Sequence, residues 1–156
     1  MKTIVAISDT HGNYSAIEKL LPIINENDYL FHLGDHDNDL KVFCRDIKSE
    51  ILSVKGNCDG GGEDKLIVID GVKILLTHGD RYGVKSSLYK ILVKAKELGV
   101  QAVFYGHTHK AEIIFEDGIY LINPGSMTIF GNNSYCYTVI ANGKITPTIV
   151  ELRKVF

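Results

Sequence analysis

The stretch Thr3-Ile4-Val5-Ala6-Ile7-Ser8-Asp9-Thr10-His11-Gly12-Asn13 decides the fold of this chain. Its apolar, mostly β-branched start predicts a buried strand over Thr3–Ile7, which runs directly into a polar loop. Beyond that loop, apolar residues recur with helical spacing at Ile17, Leu20, Leu21 and Ile24. This spacing predicts a helix over Tyr14–Asn25, which Pro22 should kink or shorten. A buried strand, a polar loop and an amphipathic helix in this order favour an α/β fold with parallel strands.

Strand and helix patterns continue to alternate along the chain. Further strands are predicted at Leu30–Leu33, Ile51–Val54, Lys65–Asp70, Val72–Thr77 and Ala102–Tyr105. A short helix is expected around Asp39–Asp46. A longer one should have Ser86 or Ser87 as its N-cap and stop at Gly99.

Three dipeptides predict tight hairpin turns, namely Asp70-Gly71, Asp117-Gly118 and Asn142-Gly143. From Glu112 onward these turns separate β-branched or alternating runs, so we expect antiparallel hairpins there. No linker or low-complexity segment interrupts the 156 residues, and we expect one domain over residues 1–156. Strand–helix units followed by hairpins suggest two sheets packed face to face with helices outside.

The composition restricts the class of function. The chain has 45% hydrophobic and 23% charged residues and a net charge of −2, which suits a soluble globular protein and disfavours strong nucleic-acid binding. Its apolar runs fall far short of the roughly 18 residues that a membrane span needs. Asp9 interrupts the first apolar run before a secretory signal could form, and the three cysteines have no CxxC spacing. We therefore expect a cytoplasmic protein with no membrane partner.

Residues able to bind metal follow five of the predicted strands. In chain order they are Asp9 and His11, then Asp35, Asn57 and His78, then His107 and His109, with a glycine close to each group. Glycine allows the tight turn that such a loop needs. Parallel strands place their carboxyl ends at one edge of a sheet, so these side chains can meet in one crevice.

Seven such ligands exceed the set that one ion takes from a protein while keeping positions for substrate. Two ions that share one carboxylate account for the excess. Mixed imidazole and oxygen ligands suit Mn as the first choice, or Ni, Co, Fe or Zn, and suit Mg less well. Two ions about 3.5–4 Å apart are a recurrent arrangement for displacement at phosphorus. The pattern therefore predicts a dinuclear metal centre that acts on phosphoesters.

The same residues resemble the calcineurin-like metallophosphoesterases, over roughly residues 4–126. The resemblance is carried by Asp9-Thr10-His11, Gly34-Asp35, Gly56-Asn57-Cys58-Asp59, His78-Gly79 and Gly106-His107-Thr108-His109. The short chain and the segment Asn123-Pro124-Gly125-Ser126 are similar to small phosphodiesterases of the YfcE type. The resemblance implies a four-layer αββα sandwich of two mixed sheets.

The resemblance also implies roles for individual residues. It assigns one metal to Asp9, His11, Asp35 and His109, and the other to Asp35, Asn57, His78 and His107. Asp35 would be the bridging carboxylate, and a hydroxide held between the ions would attack phosphorus in line. Asn57, Cys58 and Asp59 are the candidate catalytic residues beside the metals.

Two positions depart from the family pattern. Cys58 stands where many members have a histidine that stabilises or protonates the leaving group. A thiol with an ordinary pKa near ~8.5 is a poorer proton donor, so aryl leaving groups should be favoured over alkyl ones. Asp80 stands where relatives often have a second histidine, and we expect it at most to accept a hydrogen bond from a ligand histidine.

Other polar residues have ordinary structural interpretations. We expect a hydrogen-bonded interior histidine at 32, a solvent-facing loop histidine at 36, and packing cysteines at 44 and 136. Asp59 should orient the site rather than bind metal, and Arg81 should form a surface ion pair rather than contact phosphate. For Asn123 and Ser126, a simple Pro-Gly turn and a substrate-side role are both open.

The sequence thus predicts a phosphodiesterase that acts on small diesters with broad specificity, because the catalytic core leaves no room for a cap domain. Three alternatives stay open: a non-catalytic scaffold like the retromer subunit that resembles these enzymes, a nuclease or dinucleotide hydrolase, and a phosphomonoesterase. The intact ligand set disfavours the scaffold, and the missing basic groove disfavours the nuclease. Only Arg81 is available to clamp a monoester dianion. A homo-oligomer is compatible with the sequence.

Overall fold

The computed structural model describes residues 1–154, which form ten strands, two α-helices and four short 3₁₀ helices. The strands are β1 Lys2–Ile7, β2 Tyr29–His32, β3 Glu50–Ser53, β4 Lys65–Ile69, β5 Val72–Leu76, β6 Ala102–Phe104, β7 Glu112–Glu116, β8 Ile119–Asn123, β9 Ser134–Ala141 and β10 Lys144–Glu151. The helices are α1 Tyr14–Asn25 and α2 Tyr89–Leu98, and the 3₁₀ helices are Asp37–Phe43, Asn57–Asp59, Asp80–Tyr82 and Leu152–Lys154.

The strands form two mixed five-stranded sheets. The first has the order β10-β9-β1-β2-β3, in which β1, β2 and β3 are parallel and β9 is antiparallel to β1. The second has the order β4-β5-β6-β8-β7, in which β5, β6 and β8 are parallel and the edge strands are antiparallel.

Side chains that alternate along the strands build three apolar clusters and so define four layers. Ile4 of β1 faces the second sheet, in the cluster where Phe31 meets Phe104 edge-on with ring centroids 5.2 Å apart. Its neighbour Val5 faces the opposite way, against α1. The second sheet is covered on its outer side by the α2 residues Ile91, Leu92 and Ala95. The predicted αββα sandwich is confirmed.

Most predicted elements agree with the structure to within a residue or two. The helix α1 has the predicted bounds, and the exposed Pro22 lies inside it without shortening it. In all three predicted hairpin turns, both residues of the dipeptide have positive φ. The short helix expected around Asp39–Asp46 is present as a 3₁₀ helix over Asp37–Phe43. This tighter helix buries Asp39, whose carboxylate accepts a hydrogen bond of 2.8 Å from the Gly12 amide.

Some predicted details are wrong. Helix α2 is capped at Leu88, so neither predicted serine is its N-cap; the Ser87 hydroxyl accepts a 3.0 Å hydrogen bond from the Tyr89 amide in the turn before it. Cys44 is exposed rather than packed, because it follows the last buried residue of its 3₁₀ helix. Cys136 is buried as predicted. Within residues 1–154, no helix is long and apolar enough to cross a bilayer.

Candidate metal centre

The loops that follow β1, β2, β3, β5 and β6 meet at one rim of the sandwich, because the strands of each set are parallel. Backbone hydrogen bonds join neighbouring loops within each sheet. The amide of Asp9 donates to the carbonyl of Gly34 at 2.9 Å, and the amide of Gly106 donates to that of His78 at 3.0 Å. The loops after β1 and β2 are therefore held together, and so are the loops after β5 and β6.

A first group of candidate ligands consists of Asp9, His11, Asp35 and His109, whose ligand atoms all lie within 4.8 Å of one another. Oδ1 of Asp9 is 3.2 Å from Nε2 of His109 and 3.9 Å from Nε2 of His11. Among the described residues, neither Asp9 Oδ1 nor His11 Nε2 has a hydrogen-bond partner, although both atoms are buried. Buried polar atoms are nearly always paired, so these two atoms fit a bound cation.

A second group contains Asp35, His78 and His107, again with ligand atoms within 4.8 Å. Asn57 joins this group, since its Oδ1 lies 2.9 Å from Nε2 of His78. Oδ2 of Asp35 lies 3.5 Å from Nε2 of His78 and 3.6 Å from Nε2 of His11 in the first group. The structure thus brings all seven predicted ligands together, in two groups that share Asp35.

In three of the candidate ligands, a hydrogen bond to one side-chain atom leaves another atom facing the centre. Nδ1 of His78 donates to the Leu33 carbonyl at 2.8 Å, while its Nε2 lies among the other side chains of the second group, 2.9 Å from Oδ1 of Asn57 and 3.1 Å from Nδ1 of His107. Oδ2 of Asp9 accepts from the Ser8 hydroxyl, while Oδ1 stays free. Oδ1 of Asp35 accepts from the Cys58 amide at 2.9 Å, while Oδ2 faces both groups.

The two buried carboxyls have opposite electrostatic environments. Burial raises the pKa of Asp9, and the hydrogen bond from Ser8 and the neighbouring imidazoles offset this only in part. Burial acts in the same direction on Asp35, but the hydrogen bonds from Cys58 and the nearby His78 outweigh it, so the pKa of Asp35 lies below its usual value. Burial and His78 lower the pKa of His107, which favours the neutral imidazole that binds metal.

The backbone at the centre adopts conformations that non-glycine residues rarely take. Positive φ angles between 42° and 71° occur at Asp9, His11, Asp35, His36, His107 and His109. The left-handed region is costly for residues with a Cβ, and it persists only where the surroundings enforce it. Packing also leaves no space for a side chain on two glycines of these loops. A Cβ on Gly106 would lie 2.6 Å from Asp9 Oδ2, and a Cβ on Gly34 would lie 2.8 Å from His78 Nδ1.

The segment after β3 places Cys58 and Asp59 beside the second group. The carboxylate of Asp59 accepts from the amides of His36 at 2.7 Å and Gly56 at 2.9 Å, so it joins two ligand-bearing loops and supports the orienting role we expected. Cys58 is exposed. From the sequence we expected an ordinary pKa for its thiol, whereas in the structure this pKa is shifted. Desolvation and the carboxylate of Asp35 raise this pKa, so the thiol stays protonated at neutral pH.

His32 is the satisfied interior histidine that the sequence predicts. Its Nδ1 accepts from the Gly34 amide at 3.1 Å, so its Nε2 donates to the Thr10 hydroxyl 3.0 Å away. The Thr10 hydroxyl in turn donates to Asp39 at 2.7 Å. This buried chain fixes the loop between Asp9 and His11. Sequence reasoning missed Asp39, whose position in a weak helical pattern carried no signal.

Asn123 is completely buried, and its side chain serves the loop that carries two ligand histidines. Its Nδ2 donates to the Gly106 carbonyl at 3.2 Å and to the Thr108 hydroxyl at 2.9 Å, and its Oδ1 accepts from the Gly125 amide at 2.9 Å. Its burial and these hydrogen bonds favour a structural role for Asn123. The missed signal was that β8 lies parallel to β6, so its last residue reaches the same rim.

The remaining polar candidates lie outside the two groups. Arg81 donates to the Gly62 carbonyl and lies 4.0 Å from Asp64, which agrees with the predicted ion pair. Asp80 is exposed, and over residues 1–154 its carboxylate makes no hydrogen bond to a ligand histidine, contrary to the role we allowed it. His36 is exposed as predicted, with its ring centroid 4.8 Å from that of His11.

Comparison with known proteins agrees with this geometry. The profile of the calcineurin-like phosphoesterase superfamily domain matches residues 1–143. The chain is 33% identical over 130 residues to the probable metallophosphoesterase YsnB of Bacillus subtilis, covering 81% of this chain and 75% of that protein. It is 26% identical over 170 residues to the phosphodiesterase YfcE of Escherichia coli K12, covering 91% and 89%. The chain belongs to the calcineurin-like phosphoesterase superfamily.

Solved structures share the fold. A conserved protein of Streptococcus pneumoniae TIGR4, described as a predicted phosphoesterase, superposes with a TM-score of 0.78 at 24% identity, over 96% of this chain and 89% of that one. The Vps29 protein of Entamoeba histolytica, solved with zinc, gives a TM-score of 0.73 at 21% identity, over 96% and 98%. At these identities the likeness concerns the fold alone.

Proposed function

We propose that the protein is a phosphodiesterase that hydrolyses small phosphodiesters at a centre of two divalent metal ions. The observation that carries this proposal is the pair of ligand groups that share Asp35. The nitrogen and oxygen donors suit Mn first, with Ni, Co, Fe, Zn and Mg as alternatives. When bound, such ions lower the pKa of a water molecule and neutralise charge on phosphoryl oxygens.

The residues around the centre have separable roles in this proposal. Asp9, His11 and His109 hold one ion, while Asn57, His78 and His107 hold the other. Oδ2 of Asp35 faces both groups and is shared. Asp59 keeps the loops after β2 and β3 together, so the two groups stay at a fixed separation.

The residue at position 58 favours substrates with good leaving groups. The Cys58 thiol is exposed beside Asp35, and its raised pKa keeps it neutral and a weak acid. A weak acid transfers its proton poorly to an alkoxide that departs as the bond to phosphorus breaks. Aryl oxides need no such help, so aryl diesters should be hydrolysed faster than dialkyl ones.

The charge distribution favours diesters over monoesters and nucleic acids. The Arg81 guanidinium is engaged by the Gly62 carbonyl and the Asp64 carboxylate, so it does not face the centre as a clamp for a dianion. The net charge of −2 opposes strong binding to a polyanion. The name of the relative YfcE, a phosphodiesterase, supports the same choice.

The experiment combines metal analysis with rate measurements. Bis(para-nitrophenyl) phosphate and para-nitrophenyl phosphate are compared with Mn, Ni, Co and Mg for the wild type, Asp35→Asn and the exposed control Asp46→Asn. We expect the diester to react faster, Asp35→Asn to lose at least about 100-fold in rate, and Asp46→Asn to match the wild type. Bound metal with no turnover under any condition would instead support the second candidate, a non-catalytic scaffold. The fold likeness between this chain and Vps29 is compatible with that candidate.

A further inference from the structure

A cavity of about 420 Å³ opens directly beside the first group of ligands. The residues that line it are His11, His109, Thr128, Ile129 and Phe130. Two of them are candidate metal ligands, and two are apolar side chains that are largely exposed, Ile129 to 68% and Phe130 to 86%. Large exposed apolar side chains that border a polar centre are a recognised sign of a ligand contact.

The loop that carries these apolar residues is anchored at its base. The Met127 amide donates to the Asp9 carbonyl at 3.3 Å, and Nδ2 of Asn13 donates to the Thr128 carbonyl at 3.1 Å. Both contacts reach the loop that follows β1 and carries the first two ligands. The base of the loop, at Met127 and Thr128, is therefore held beside the candidate metal centre, and Ile129 and Phe130 follow it directly.

The lining of the cavity selects the kind of group that fits. It offers two imidazole rings, whose centroids are 5.4 Å apart, and an apolar wall opposite them. None of the five lining residues is Lys, Arg, Asp or Glu, so the cavity is unsuited to a second phosphate or an ammonium group. A planar aromatic group can stack on such rings, and the volume is within the usual range for small-ligand sites of about 300–1,000 Å³.

We propose that Thr128, Ile129 and Phe130, together with the imidazoles of His11 and His109, form a subsite for an aromatic ester group of the substrate. This inference rests on the proposed function, because it takes phosphorus to bind at the ligand atoms. A diester carries two organic groups, and the cavity is contiguous with those atoms. An aryl or heteroaryl substituent therefore enters the subsite while the phosphate occupies the centre.

The test measures binding rather than turnover. Phenylphosphonate and methylphosphonate have the same charged head and a carbon–phosphorus bond that phosphoesterases do not cleave. Their dissociation constants are measured by calorimetry on the Mn²⁺-loaded protein. We expect phenylphosphonate to bind more tightly, and Phe130→Ala to reduce that preference about 3- to 10-fold without changing methylphosphonate binding. Phe130→Tyr should keep the preference, as should Phe115→Ala, which truncates an exposed phenylalanine outside the cavity.

The outcomes separate the subsite from the proposed function. Equal affinities for the two phosphonates, unaffected at position 130, would overturn the subsite and leave the phosphoesterase centre standing. Failure of both phosphonates to bind to the Mn²⁺-loaded protein would overturn the subsite, and failure of the protein to bind Mn²⁺ in the same calorimeter would overturn the centre as well. If Phe130→Ala only dissociated an oligomer in sedimentation, with both affinities unchanged, the apolar wall would be a contact between copies of the chain and the subsite would be rejected.

Discussion

The backbone amide of His107 donates a 3.1 Å hydrogen bond to Oδ2 of Asp9, a residue 98 positions earlier that follows a strand of the other sheet. This bond joins the two sheets at the candidate metal centre. It also occupies one carboxylate oxygen of Asp9 and leaves Oδ1, which is buried and unpaired among the described residues, directed at the first group of ligands. Asp9 thus has one oxygen held by hydrogen bonds and one that is available to bind a metal ion.

Replacement of Asp9 by asparagine should separate these two tasks. The amide carbonyl can still accept from Ser8 and His107, but the NH₂ group then faces the first group and repels a cation. We expect Asp9→Asn to keep its circular dichroism spectrum and to lose metal affinity by roughly 100-fold or more. Metal content after dialysis measures this. An unchanged stoichiometry and affinity would show that Asp9 is not a ligand.

Asn123 should act on metal binding through the loop that it supports. In Asn123→Asp the carboxylate cannot donate to the Gly106 carbonyl or the Thr108 hydroxyl, which costs about 1–3 kcal/mol of stability. The misplaced histidines should weaken metal binding about 10- to 100-fold. The matched control is Asn132→Asp, which makes the same change at an exposed position. Loss of stability with wild-type metal affinity would reduce Asn123 to a structural residue.

A histidine at position 58 should change the dependence on the leaving group. A protonated imidazolium is a stronger acid than the Cys58 thiol with its raised pKa, and it can protonate a departing alkoxide. We expect Cys58→His to raise the rate for alkyl diesters about 10-fold or more and to leave aryl diesters nearly unchanged. Cys44→His, at another exposed cysteine, is the control. Equal effects on both substrate classes would argue against a leaving-group role.

The buried His32 should make stability fall as the solution becomes acidic. Burial lowers its pKa to about 4, whereas the unfolded chain binds the proton with a pKa near 6.5. The unfolded state therefore gains protons first, and stability is lost as the pH falls from about 6.5 towards 4, by about 2 kcal/mol at pH 5.

Denaturant unfolding of metal-free protein at pH 7 and pH 5 measures this loss. His32→Gln, which cannot titrate, should show a pH dependence smaller by that amount. The control variant His36→Gln, at an exposed position, should lose as much stability between pH 7 and pH 5 as the wild type does. If the wild type and His32→Gln respond equally to pH, then His32 is not the group responsible.

The fold was largely predictable because its signals are local. The strand β1 and the helix α1 are encoded by periodicity within a few residues, and the Asp-Gly and Asn-Gly turns are encoded by two residues each. The parallel pairing of β8 with β6 was not predictable, because the hairpin pattern fixes only the pairing of β8 with β7. The start of α2 was misplaced because a serine hydroxyl can satisfy an amide in a turn as well as at a cap.

The site was predictable as a set of residues but not as a geometry. Seven candidate ligand residues stand shortly after strands, which is visible in the sequence. The supporting residues Asp39 and Asn123 act through contacts across the fold, and nothing in their local sequence shows those contacts. The raised pKa of Cys58 likewise depends on a carboxylate 23 positions away.

The division of the ligands between two sheets has a consequence for the order of events during folding. Asp9 and Asp35 belong to the loops of one half of the sandwich, and His78, His107 and His109 belong to the other. Neither half can assemble the centre alone. Closing a chain segment of about 100 residues costs conformational entropy before any contact between the halves forms. The ligand set is therefore complete only once apolar burial has brought the two halves together, and a metal ion bound there would link them.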